Sequence, residues 1–156
     1  MILGFIGCGN MGEAMLSGAL SSGWINPEKV IVHTKTVSRM EELKEKYGIA
    51  ISESNADVAR EADFIILAVK PIVYEGAISE IKDKIKDGAI VLGIAPAYSI
   101  SKLEKLIDNQ HVKIAKSIPN TPALVGKGIA GISFSDNMDD TDKDLVFSLF
   151  NSFGEG

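Results

Sequence analysis

The stretch Ile2-Leu3-Gly4-Phe5-Ile6-Gly7-Cys8-Gly9-Asn10-Met11-Gly12 decides the fold. A short apolar run enters three glycines spaced G-x-G-x-x-G, and a helix-period segment follows at once. Met11, Ala14, Met15, Gly18 and Ala19 recur at helical spacing as far as Ser22, and Gly23 is the stop. The glycine spacing alone is a weak signal. Directly behind a buried strand and at the mouth of a helix it gains a mechanical meaning. Gly7 makes the tight turn, Gly9 lets backbone approach a diphosphate, and Gly12 lets the helix lie close to the strand. The N–H groups near Asn10 and Met11 then sit at a helix N-terminus, where unpaired donors and the helix dipole favour an anion. Cys8 reads as a small filler between them, since nothing nearby asks for a nucleophile.

Outward from this turn, buried runs and amphipathic stretches alternate to the end of the chain. Lys29–His33 reads as a second strand, Ser38–Tyr47 as a helix stopped by Gly48, and Ile49–Ile51 as a short strand. Ser54–Glu61 reads as a short helix. Asp63–Val69 is a strand apolar at every position after the Asp, as expected in a parallel sheet covered on both faces. Helices over Val73–Ile85, Ser101–Ile107 and Thr141–Phe150 alternate with strands over Ala89–Leu92, Val112–Ala115 and Gly128–Phe134. The alternation predicts one α/β domain over residues 1–156, a doubly wound, mostly parallel sheet of the Rossmann NAD(P)-binding type.

Composition narrows the function classes. A net charge of -5 offers no basic face to nucleic acid or to an anionic lipid surface. A single cysteine forms no internal disulfide and no cysteine zinc site, which fits a cytoplasmic protein. The apolar N-terminus ends at Gly7 with no basic flank, so it does not read as a signal peptide.

The identity of the dinucleotide is read at the end of the second strand. Domains that bind NAD place an Asp or Glu about 20 residues beyond the glycines to hold the ribose 2′-hydroxyl. Here the sequence is His33-Thr34-Lys35-Thr36-Val37-Ser38-Arg39, and no acidic residue occurs between Lys29 and Met40. Hydroxyls and cations suit a 2′-phosphate. The expected cofactor is therefore NADP (NADPH), with NAD the less favoured alternative.

Three segments, in this order and at these spacings, carry a resemblance to a known family: Phe5–Gly12, Ala68-Val69-Lys70-Pro71, and Pro119-Asn120-Thr121-Pro122-Ala123-Leu124-Val125. The chain resembles the front half of the pyrroline-5-carboxylate reductases, and the run from Pro119 is the most specific of the three. The resemblance implies reduction of the C=N bond of 1-pyrroline-5-carboxylate to give L-proline, usually with NADPH. It implies that Gly7, Cys8, Gly9, Asn10, Met11 and Gly12 hold the pyrophosphate, and that Thr34, Lys35 and Arg39 surround the adenosine ribose and its phosphate. Asn55 would lie on the adenosine side. Ala68, Val69, Lys70 and Pro71 would line the path to the nicotinamide, together with Ala95. Asn120, Thr121 and Pro122 would bound the nicotinamide end. One segment departs: where the family has Ala-Ala-Gly-Val, this chain has Ala95-Pro96-Ala97-Tyr98, and a lost glycine changes which backbone conformations the loop can reach.

The family also carries an all-helical domain that forms the dimer and completes the substrate pocket, and the resemblance places it after this chain. The substrate carboxylate and any proton donor would belong there. Within these 156 residues no catalytic side chain is nominated. His33 and His111 read as surface residues near strand ends, Asp63 as a cap at a helix–strand junction, and Asp136–Asp144 as a solvated loop and helix start. Two other readings stand beside this one: another NADP-dependent reductase or dehydrogenase, of hydroxyacid or prephenate type, and a non-enzymatic relative that kept the fold and binds a nucleotide or a partner protein.

Overall fold

The structure is a computed structural model that describes residues 1–117 and 131–154. Seven strands form one sheet: β1 (Leu3–Ile6), β2 (Val30–His33), β3 (Ala50–Ile51), β4 (Phe64–Leu67), β5 (Ile90–Gly93), β6 (Lys113–Lys116) and β7 (Ser133–Phe134). The described helices are α1 (Asn10–Ser21), α2 (Val37–Tyr47), α3 (Asn55–Glu61), α4 (Tyr74–Ile81), α5 (Ile100–Ile107) and α6 (Asp140–Gly154). The sheet order is β3-β2-β1-β4-β5-β6-β7, parallel throughout except for β7, which runs antiparallel to β6. The expected doubly wound, mostly parallel sheet is therefore present.

Side-chain alternation along each strand sorts the interior into two layers. Leu3, Phe5, Val32, Phe64, Ile66 and Leu92 face one side, where α1 brings Met15, Leu16 and Ala19, α2 brings Leu43, and α6 brings Val146 and Leu149. Ile31, Ile65, Leu67, Val91 and Ile114 face the other, against Val58 of α3, Ile78 and Ile81 of α4, and Leu103 and Ile107 of α5. The central strands β1, β4 and β5 are buried at every position, which explains why they read as unbroken apolar runs.

Three elements differ most from the sequence reading, the first being α6, which runs on to Gly154, past the expected end at Phe150. Helix α4 ends at Ile81, not Ile85, and a turn closed by the Lys84 N–H on the Ile81 carbonyl (2.8 Å) follows. Ile85 is buried all the same, so it kept the apolar period going in a segment that is not helical. The strand expected over Gly128–Phe134 is β7 at its far end, and its first three positions lie outside the described residues.

The order of strands places the site. Successive connections run outward in opposite directions from the β1–β4 pair, so a crevice opens between the loops that leave those two strands. The loop after β1 is the glycine turn, and the loop after β4 is Ala68–Pro71.

Candidate cofactor site

The glycine turn has the conformation its sequence demands. Gly7 has φ +76°, the left-handed region, and a Cβ there would lie 2.5 Å from Val69 Cγ1. Its N–H donates to the His33 carbonyl at 2.8 Å, tying the turn to the end of β2. Gly12 lies where a Cβ would come 3.0 Å from the Ala68 Cβ, so the close approach it permits is of α1 to the end of β4. At Gly9 a Cβ would meet nothing within 4 Å, so the space over the turn is open. Gly9 is the N-cap of α1 and no side chain caps that helix start. The result is a helix N-terminus without a side-chain acceptor, facing open space at the switch point of the sheet.

A crevice of about 630 Å³ is lined by Gly7, Cys8 and Gly9 from the turn, His33, Thr34, Lys35, Thr36 and Arg39 from the end of β2 and start of α2, Asn55 from α3, and Ala68, Val69, Lys70, Val73 and Glu80 from β4 onward. Most of the residues singled out from sequence thus meet in one cavity. Asn10, Met11, Gly12 and Pro71 adjoin its lining residues in the chain but do not form its walls. Ala95 does not line it either: it is buried, and its carbonyl accepts from the Tyr98 N–H at 3.1 Å. Asn120, Thr121 and Pro122 lie outside the described residues.

Individual groups add detail. The Asn55 Oδ1 is buried at the crevice and has no hydrogen-bond partner among the described residues, an acceptor waiting for a donor. Thr34 is buried and its hydroxyl donates to the Thr36 carbonyl at 2.8 Å. Lys35 and Lys70 are exposed on opposite walls and form no ion pair among the described residues. His33, read from sequence as a surface residue, is a half-buried part of the wall. Its Nδ1 lies 2.9 Å from the Ser52 carbonyl, which can only accept, so Nδ1 carries the proton. His111 is exposed as expected. Cys8 is 5% exposed, and burial pushes its thiol up to about 12 against the pull of Arg39, so it is a filler and not a thiolate.

Sequence reasoning missed the residues that hold the walls. Glu13, in the first turn of α1, accepts from Tyr47 Oη at 2.6 Å and Lys46 Nζ at 2.9 Å, and pairs with Arg39 Nη2 at 2.8 Å. The Tyr47 and Lys46 hydrogen bonds, then Arg39, draw its carboxyl down to about 2. On the far wall Tyr74 is fully buried, donates to the Leu67 carbonyl at 2.7 Å and accepts from the Ile94 N–H at 3.1 Å. One hydroxyl thereby joins the ends of β4 and β5. Tyr98 lays its ring on Tyr74 with centroids 4.6 Å apart and donates to the Pro71 carbonyl at 3.2 Å. The departure at Ala95–Tyr98 needs no glycine: among the described non-glycine residues only Asp108 has positive φ. Asp63 is structural, but it does not cap its own helix–strand junction as expected: it accepts from the Ile2 N–H at 2.8 Å, beside the start of β1, and pairs with Lys86 at 3.3 Å. Asp142, in the acidic run, is not merely solvated: it pairs with Lys113 at 2.8 Å.

Among the described residues no helix is long and apolar enough to cross a membrane. The family described as NADP oxidoreductase, coenzyme F420-dependent, matches residues 2–97. The chain is 35% identical over 153 residues to the pyrroline-5-carboxylate reductase of Escherichia coli (strain K12), covering 98% of this chain and 56% of that protein. It is 30% identical over 152 residues to the pyrroline-5-carboxylate reductase of Methanosarcina acetivorans, covering 97% and 56%. Among solved structures, a pyrroline-5-carboxylate reductase from Coxiella burnetii superposes with a TM-score of 0.88 at 26% identity, over 98% of this chain and 56% of that one. The Plasmodium falciparum pyrroline carboxylate reductase with NADP bound gives 0.81 at 31% identity, over 99% and 56%. A prephenate dehydrogenase from Aquifex aeolicus, at 0.74 and 14% identity over 100% and 58%, shares the fold. The chain spans 56% of the length of the curated relatives it matches first.

Proposed function

The chain belongs to the NADP oxidoreductase, coenzyme F420-dependent, family, and we propose that it is the NADPH-holding part of an enzyme that reduces 1-pyrroline-5-carboxylate to L-proline. The observation that carries the cofactor half is the uncapped start of α1 beneath the open space at Gly9, at the switch point of the sheet. Backbone N–H groups at Gly9, Asn10 and Met11 are suited to the pyrophosphate. Thr34 and Lys35 suit the adenosine ribose and its 2′-phosphate, Asn55 Oδ1 accepts on the same side, and Ala68 to Lys70 border the path toward the nicotinamide. The substrate half is supported by a likeness to pyrroline-5-carboxylate reductases that extends over 98% of the chain, past the end of the family match at residue 97.

Bound NADPH supplies a hydride from its nicotinamide ring, and the protein's part is to bind and orient it. The residues of this chain do that from two walls, and none of them is assigned proton transfer to the ring nitrogen. The substrate carboxylate, that proton, and assembly into an oligomer fall in this reading to a helical domain beyond the portion matched here. A cytoplasmic location belongs to the same proposal.

Titration of the chain with NADPH and NADH, followed by the emission of the reduced nicotinamide, should give binding of NADPH at least about tenfold tighter than NADH, the scale of one charge-assisted contact to the 2′-phosphate. Pyrroline-5-carboxylate-dependent oxidation of NADPH should be slight with the 156-residue chain alone. Failure to bind either dinucleotide would reject the cofactor assignment, and turnover at a full enzyme's rate would reject the division of labour.

A further inference from the structure

We infer that Arg39 is a positioning residue for the glycine turn and not a reader of the 2′-phosphate; the inference rests on the proposal that the crevice holds NADPH. A guanidinium has five N–H donors. Nε and Nη2 of Arg39 reach the Cys8 carbonyl at 3.2 and 3.0 Å. Nη2 also reaches Glu13 Oε1 at 2.8 Å, and Nη1 reaches Glu42 Oε1 at 2.8 Å. One N–H of Nη1 is left, and two carboxylates already answer the charge. A phosphate dianion that came to this guanidinium would meet those carboxylates as well. Lys35 stands on the same wall, exposed and without an ion pair among the described residues, and is the cation free to take it.

The carbonyl that Arg39 grips is the second part of the inference. Cys8 lies between the two glycines that form the turn. Its peptide is planar and trans, so fixing the Cys8 oxygen toward Arg39 sends the Gly9 N–H the opposite way. A carbonyl oxygen aimed at a diphosphate would repel it; held by two N–H groups, this one is turned aside and its partial charge is matched. The same cation reaches Glu13 in the first turn of α1, so both flanks of Gly9 are fixed from α2 by one side chain. Glu13 is itself fastened to Lys46 and Tyr47 at the other end of α2, which makes the brace a network and not a single pair.

Positioning separates from phosphate reading in the ratio of the two affinities, and from a merely structural role in the calorimetric stoichiometry, since loss of fold lowers the number of sites and not the affinity of each. Calorimetric titration of the parent, Arg39→Gln, Glu13→Gln and Lys35→Ala with NADPH and with NADH makes the comparison. Arg39→Gln is expected to weaken both dinucleotides by about tenfold with their ratio held within about twofold, and Lys35→Ala to weaken NADPH alone by about tenfold. Glu13→Gln, which keeps Arg39 in place and serves even where Arg39→Gln fails to fold, is expected to weaken both by about threefold. Loss of NADPH binding alone in Arg39→Gln would overturn the inference. So would unchanged binding of both dinucleotides, or tighter NADPH binding in Glu13→Gln, because a freed guanidinium would then be reading the phosphate. Absence of binding of either dinucleotide by the parent chain removes the proposed function, and the inference with it.

Discussion

The two walls of the crevice are held by opposite means. The glycine-turn wall is braced by charge: Arg39, Glu13, Lys46 and Tyr47 form a half-exposed network between α1 and α2. The β4 wall is braced by buried rings: Tyr74 bridges Leu67 and Ile94, and Tyr98 stacks on it and ties down Pro71. Ions in partial contact with water contribute little net stability but respond to salt and pH. A buried hydroxyl bridging two strand ends responds to neither, and costs far more to remove, because its partners are left unsatisfied. The turn that would meet the diphosphate thus rests on adjustable contacts, and the strand ends behind the other wall rest on fixed ones.

The largest effect expected from breaking this contrast is at Tyr74. Tyr74→Phe keeps the ring but leaves the Leu67 carbonyl and the Ile94 N–H without their partner, at a cost of about 1–3 kcal/mol. Urea unfolding should show it, with the loss unchanged between low and high salt; a salt-dependent loss would mean the two walls are not so different. Tyr98→Phe removes one hydrogen bond, to the Pro71 carbonyl, and keeps the stacked ring, so a smaller loss of about 0.5–1.5 kcal/mol is expected.

The smallest effect at neutral pH is expected at Glu13, up to about 1 kcal/mol for Glu13→Gln. Its signature is in acid. The carboxyl titrates near 2 in the folded chain against an ordinary 4.5, so the folded state prefers the charged form. That preference stabilises the fold fully above 4.5 and is lost as the pH falls from 4.5 through 2. The parent should therefore lose stability faster than Glu13→Gln over this window, and the two should converge near its lower end. Parallel curves, read from urea midpoints at pH 7 and pH 3, would show that the network does not hold Glu13 as described.

What could be read from sequence was what is local. The glycine turn, the buried central strands and the helix stops at Gly23 and Gly48 are encoded in adjacent residues. The antiparallel sense of β7 was not, since two paired residues carry no directional signal. Of the site, the crevice residues at the ends of β1, β2 and β4 were legible because the fold sends every such loop to one end of the sheet. The braces were not. Glu13 and Tyr47 are 34 positions apart, and Tyr98 and Pro71 are 27 apart. Ala95–Tyr98 looked like a loop that had lost its glycine; in three dimensions it delivers a tyrosine to a neighbouring ring.

The one tryptophan sits at the opposite end of the sheet from the crevice. Trp24 follows α1, sets its ring edge-on to Phe64, and donates from Nε1 to the Ser148 hydroxyl of α6 at 2.8 Å. Its indole is thus a native optical gauge of whether that helix is seated. Reduced nicotinamide absorbs where indole emits, so occupancy of the crevice would dim this signal, and only without dinucleotide does the indole report the grip of Ser148 alone.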